Sequence, residues 1–82
     1  MLEMKLLAAK RLREFRKDVL KLSLAELARR SGIHVKTIAS FENGMSPNMI
    51  YLQVYFNQTD ETNEQQFIDL VHQLLKDIKN GN

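Results

Sequence analysis

The stretch Ser23-Leu24-Ala25-Glu26-Leu27-Ala28-Arg29-Arg30-Ser31-Gly32-Ile33-His34-Val35-Lys36-Thr37-Ile38-Ala39-Ser40-Phe41-Glu42-Asn43-Gly44 decides the fold. Ser23 is followed three residues later by Glu26, which predicts a capping box: the hydroxyl receives a first-turn N–H and the carboxylate returns to the N–H of Ser23. The helix so begun ends at Gly32, because glycine readily takes the left-handed conformation that closes a helix. Val35 to Glu42, with Ile38 and Phe41 three apart, predicts a second helix, stopped by Asn43-Gly44. Two helices joined over so short a turn cross steeply, so Ala28 must be small for the second to approach. Leu27, Ile33, Ile38 and Phe41 then turn inward, and Val35, Lys36, Thr37 and Ser40 are left on the outward face of the second helix.

On the N-terminal side, residues 5 to 20 place Leu12, Phe15 and Val19, with Leu22 beyond and Ala8 and Ala9 before, at the three-and-four spacing of one helical face. On the C-terminal side, Met49 to Phe56 is apolar at every position except Gln53. Its period therefore does not separate a buried helix from a strand, and its Ile, Val and aromatic content leans toward strand. Residues 58 to 63 form a polar break. Thr62 or Asn63 then caps a last helix over about residues 63 to 79, stopped by Asn80-Gly81.

The frame around these elements is one small domain spanning residues 1 to 82, since a chain of this size seldom supports two cores. A domain this short buries only about 60% of its unfolded surface, and natural examples add disulfides, metals or a partner subunit. The chain has no Cys, and His34 and His72 are far apart without ligand-spaced companions, so neither a disulfide nor a metal site is expected. Oligomerisation is the route that remains. The N-terminus, broken by Glu3, Lys5 and Lys10, fits neither a signal peptide nor a membrane span, which points to the cytoplasm. The net charge of +2 conceals two unlike halves: residues 1–46 carry ten basic and five acidic side chains, and residues 47–82 carry two and five. The first half can attract a polyanion and the second cannot. Asp60 and Glu61 are adjacent acids in a polar break, not a catalytic pair, and no nucleophile motif or cofactor signature accompanies them, so no enzyme is expected.

The central stretch resembles the lambda-repressor-like (Cro and phage-repressor) helix-turn-helix family. Its pattern Ser-Gln-x-Glu-Leu-Ala-x-x-x-Gly-Val-Ser-x-x-x-Ile-Ser-x-x-Glu-Asn-Gly is met by Ser23, Glu26, Leu27, Ala28, Gly32, Ile38, Glu42, Asn43 and Gly44. The resemblance covers about residues 8 to 44 well, the fourth helix loosely and the last helix not at all. It implies an all-α fold of four or five helices, with the helix-turn-helix at about 24–42 and Met49 to Phe56 helical. Leu24 stands where the family has Gln, and His34 where it has Ser. The segment from Arg16 to Leu22 is one residue longer than the common pattern and lacks its glycine. In the family an Arg of the first helix pairs with the Glu of the Glu-Asn-Gly triplet, which here makes Arg16, or its neighbour Lys17, the partner of Glu42.

The resemblance implies double-stranded DNA as partner, with the second helix of the motif in the major groove and its N-terminal residues toward base edges. Val35, Lys36, Thr37 and Ser40 are then the candidate base contacts. Ser23, His34, Asn43, Arg13 and Arg29 are candidates for phosphate, with Lys10, Arg11, Lys17 and Arg30 available around them. On the last helix, Phe67, Val71, Leu74 and Ile78 follow a four-three-four spacing, and Ile68, Leu70 and Leu75 widen the stripe to about 160°. A homodimer contact through Phe67, Val71, Leu74 and Ile78 is expected, as in a bacterial or phage repressor on a pseudo-palindromic operator. The other reading is an interaction module on the same fold, an anti-repressor, adaptor or antitoxin, whose partner is another regulatory protein held on its apolar C-terminal surface.

Overall fold

The computed structural model describes residues 2–45 and 50–81, with the side chains of 6–45, 50–77 and 79–80. Helix α1, Leu2–Glu14, starts ahead of the position expected from the sequence and does not stop at Glu14, whose backbone is itself helical. It runs on as a π-helical segment, Phe15–Leu20. A π turn bonds across five residues instead of four, so it holds one residue more per hydrogen-bonded ring than an α turn. The extra residue between Arg16 and Leu22 is absorbed there. The segment closes on Lys21 at φ 56 and ψ 42, a left-handed conformation that glycine adopts more readily than a residue with a side chain. The N–H groups of Lys21 and Leu22 both return to the carbonyl of Arg16, the latter at 3.1 Å.

Helices α2, Leu24–Ser31, and α3, Val35–Glu42, form the crossed pair. Ser23 Oγ accepts the N–H of Glu26 at 3.0 Å, as the first half of the capping box requires. The second half is replaced: the Glu26 carboxylate binds the Arg29 guanidinium one turn on. An arginine at that spacing on the same helix offers two donors, against a single N–H at the cap. Gly32 closes α2 at φ 77 with its N–H on Ala28 O at 2.9 Å. Gly44 ends the motif, also at φ 77, with the exposed side chain of Leu6 on α1 lying against it.

Helix α4, Ile50–Phe56, settles the ambiguous apolar run as a helix. Tyr51, Val54 and Tyr55 point inward at three-and-four spacing, while Leu52 and Phe56 lie half-buried against the same core. Both faces are apolar, which is why the period was not readable; Met49 lies outside the described residues. A polar turn follows, in which Asp60 Oδ1 accepts the N–H and the hydroxyl of Thr62 at 2.9 and 2.6 Å. Those bonds hold the Asp60 carboxyl below the usual carboxylate range. Asn63 turns its amide oxygen back to the N–H of Asp60 at 2.8 Å.

Helix α5, Glu64–Gly81, runs through Asn80-Gly81, past the stop expected near Lys79. It packs on α1, where Arg11 pairs with Asp77. The core is one cluster of Leu12, Phe15, Leu27, Ile38, Phe41, Tyr51, Val54, Tyr55 and Phe67. Phe67 meets Phe15 edge to face at 5.2 Å and Phe56 at 5.6 Å between ring centroids. Phe67 and Leu74, expected at a dimer contact, are thus buried inside one chain, and Val71 is half-buried. The exposed apolar side chains of α5 are Ile68 and Leu75. The side chain of Ile78 lies outside the described set.

Candidate nucleic-acid interface

The outward face of α3 is set by what its inward face buries. Ile38 is fully buried and Phe41 stacks on Tyr51 at 4.4 Å, which fixes the rotation of the helix about its axis. Val35, Lys36, Thr37 and Ser40 are consequently exposed together. Val35 is an exposed apolar residue at the very start of the helix, 37% accessible, with no core contact to explain it. His34 caps the helix, its Nδ1 accepting the N–H of Lys36 at 3.1 Å. This bond requires an unprotonated Nδ1, so the ring proton of the neutral side chain sits on Nε2, which remains available to donate outward.

A buried ion pair anchors the far end of α3. Arg16 donates from Nε to Glu42 Oε2 at 2.8 Å and from Nη2 to Oε1 at 2.9 Å, and its Nη1 reaches the carbonyl of Leu22 at 2.7 Å. The choice between Arg16 and Lys17 is therefore decided for Arg16, whose planar fork fits a carboxylate in a way an ammonium does not. Tyr55 adds a third donor that the motif pattern does not contain: its hydroxyl bonds Glu42 Oε2. Burial, and then this bond to an anion, push the Tyr55 hydroxyl well above the usual tyrosine range. Strong donors on both carboxylate oxygens keep a buried charge satisfied, and no buried side-chain polar atom among the described residues lacks a partner.

Around this anchor the exposed cations are ordered. Arg13, Lys17, Leu24, Ala39 and Asn43, over the Arg16–Glu42 pair, line a hollow of about 190 Å³ between α1, α2 and α3. Lys17 also borders a second, open depression with Lys21 and Ser23 at the start of α2. Lys17 thus links Ser23 to Asn43 along one side of the crossed pair, and Arg13 stands in the same row. Lys21, which the sequence reading did not single out, joins them because the π segment turns the chain there; a helix assumed to be α throughout gives no signal of it. Leu24 lies half-buried against the core, in the place where the family has a polar Gln. Arg29 lies elsewhere: it is exposed on α2, held by Glu26 through Nε at 3.2 Å, with Arg30 at 3.6 Å from the same carboxylate. Arg11, another candidate cation, faces Asp77 on α5.

Among the described residues no cluster of His, Asp or Glu could hold a metal ion, and no helix is long and apolar enough to cross a membrane. No curated protein and no solved structure matches the chain. A protein-family model described as helix-turn-helix matches residues 12–59, from the last turn of α1 through α4 and into the turn that follows. The crossed α2–α3 pair, its glycine closures and the Arg16–Glu42 anchor all fall within that span, and the chain belongs to this helix-turn-helix family of Cro and phage-repressor type, whose domains bind DNA and regulate transcription.

Proposed function

We propose that the protein is a sequence-specific transcriptional repressor of phage or mobile-element type, acting in a bacterial cytoplasm as a dimer on a pseudo-palindromic operator. The observation that carries this reading is the exposed row Val35, Lys36, Thr37 and Ser40 on a helix whose rotation is fixed by buried Ile38 and Phe41. In a major groove, Lys36 donates to guanine O6 or N7, the Val35 methyls pack on a thymine methyl, and Thr37 and Ser40 donate or accept. Arg13, Ser23, His34 and Asn43 take phosphates on either side, and Arg29 joins them on release of Glu26. A two-fold dimer sets its reading helices about 34 to 36 Å apart, one helical turn of B-DNA. Selection of bound duplexes from a random pool tests the reading: two related half-sites with that spacing support it, and binding without sequence preference overturns the repressor assignment.

A second reading is favoured by one observation. Leu6, which lies against Gly44, and Met45 and Ile50 are exposed apolar side chains of this domain. Such a surface fits an interaction module that binds another regulatory protein. Fluorescence anisotropy with nonspecific duplex near about 50 mM salt separates the two, since a DNA-reading domain binds under those conditions and a module does not.

A further inference from the structure

The far end of the reading helix α3 is held by more than the Arg16 fork. The buried carboxylate of Glu42 collects donors from two other elements, Arg16 on the π-helical segment and the hydroxyl of Tyr55 on α4. Arg16 continues through Nη1 to the carbonyl of Leu22, next to the residue that caps α2. The network of Tyr55, Glu42, Arg16 and Leu22 therefore runs from α4, across the end of α3, to the entry of α2. Tyr55 is fully buried, with its ring tilted against Phe41 at 6.0 Å between centroids. The ring packs on the last turn of α3, and the hydroxyl holds the carboxylate of that same turn. Packing alone gives no reason for a hydroxyl there, since phenylalanine would fill the place without a polar group to desolvate.

The outward row of α3 begins at the opposite end of this helix. From Glu42 back to Val35 the axis spans about 10 Å, so a tilt of about 5° about the Glu42 end carries Val35 through about 0.9 Å. Hydrogen bonds to base edges tolerate less than that, because their useful donor–acceptor distances span only about 0.5 Å. Arg16 reaches Glu42 on a long stem that follows its partner, whereas the Tyr55 ring is rigid, short and packed on two sides of the same contact. We propose that Tyr55 is a positioning residue for base reading: its hydroxyl, acting through Glu42, sets the tilt of α3 and with it the depth at which Val35, Lys36, Thr37 and Ser40 enter the groove. The inference rests on the base-reading row of the proposed function and adds α4 to the machinery that aims it.

Tyr55→Phe, which removes the hydroxyl and keeps the ring, tests this on the full chain with two readouts. In the DNA-free protein, residual dipolar couplings of backbone amides should show α3 tilted by at least about 5° relative to α1 and α2. On DNA, binding to duplexes selected from a random pool should weaken at least about fivefold, while binding to scrambled duplex stays within about twofold and the salt slope is unchanged, because no cation that meets phosphate is altered. Tyr51→Phe, which strips the hydroxyl from the ring stacked on Phe41, should change neither readout. Site-specific 4-aminophenylalanine at position 55 keeps a donor on the same ring and should restore both. A hydroxyl with a merely structural role lowers the melting temperature and leaves the tilt and the selected-to-scrambled ratio at their wild-type values, which overturns the proposal. A Tyr55→Phe protein that does not fold, with 4-aminophenylalanine failing to restore the wild-type couplings, overturns it as well. A wild type that binds selected and scrambled duplexes alike rejects the sequence-specific reading alone, and the dipolar couplings then decide whether Tyr55 positions α3.

Discussion

Arg16 and Glu42, one in the π-helical segment and the other at the end of the reading helix, share two parallel hydrogen bonds of 2.8 and 2.9 Å with both side chains buried. Removing one partner strands the other. Glu42→Ala leaves a buried guanidinium and the Tyr55 hydroxyl without their acceptor, at an expected cost of about 3 to 5 kcal/mol. A domain of this size has roughly 4 to 12 kcal/mol in total, so the urea midpoint should fall steeply. Arg16→Met with Glu42→Leu should be less harmful than Glu42→Ala alone; a double variant that is worse would show that the pair contributes more than the avoidance of an orphaned charge.

Lys21 holds a left-handed backbone that a side chain adopts at a cost. Lys21→Gly should raise stability by about 1 kcal/mol, after allowing for the greater freedom of glycine in the unfolded chain. Lys21→Ala, which removes the same charge but keeps a Cβ, should give no such gain. Equal effects of the two substitutions in urea titrations would place the cause in charge and not in conformation.

His34 stands where its family favours serine, and it caps α3 with a ring nitrogen. His34→Ala should cost about 1 kcal/mol in the DNA-free protein, while His34→Ser should preserve most of the cap. Thermal melts of the three proteins at one pH are sufficient. Identical losses for Ala and Ser would mean that the ring contributes by something other than accepting the Lys36 N–H.

Asp77 ties α5 to α1. Its carboxyl is held below the usual range, chiefly by the bond from the Arg11 guanidinium and then by the Gln73 amide. A depressed folded value means that the contribution is fully present above the unfolded carboxylate value and is lost as pH falls through the folded one. An NMR titration should show Asp77 protonating later on acidification than a free aspartate, with loosening of the C-terminal part of α5 in the same interval. Arg11→Ala should move the Asp77 midpoint upward; an unmoved midpoint would assign the shift to Gln73.

On DNA, Lys36→Ala should relax preference at one base pair by about 1 to 3 kcal/mol, whereas Arg13→Ala, if it removes one phosphate contact, should lower the salt slope of log K by about 0.9. Binding measured on selected and scrambled duplexes over a salt series reads both. Equal losses on every sequence from Lys36→Ala would place Lys36 on the backbone and not on a base edge.

The parts of the fold legible in the sequence were those set by local chemistry. Ser23, Gly32, His34 and Asn43-Gly44 mark the ends of α2 and α3 because caps and left-handed closures depend on a few adjacent residues. Tertiary choices were harder to read. The apolar run of α4 carries apolar side chains all round, with Tyr51, Val54 and Tyr55 buried and Ile50 exposed, so only the family pattern pointed to a helix. The stripe of α5 was visible, but the half that turns inward is decided by Phe15 and Phe56 closing on Phe67 from distant parts of the chain. The Glu26 carboxylate had two partners in reach, and the cap N–H lost to Arg29. In the candidate interface, the outward row on α3 followed from the positions of Ile38 and Phe41. The neighbourhood of Lys17, Lys21 and Ser23 did not, because it depends on the form of the segment before α2.

That segment has a consequence for the sequences the fold can accept. Arg16 is pinned by Glu42 and Ser23 by the first turn of α2, so the chain between them bridges two fixed points. A π turn and an α turn differ by one residue in what they hold across such a gap. Deleting one exposed residue, such as Asp18, lets the segment tighten to an α turn with both anchors in place. The stretch behaves as an expansion joint: chain length can vary by one residue here while the reading helix keeps its position.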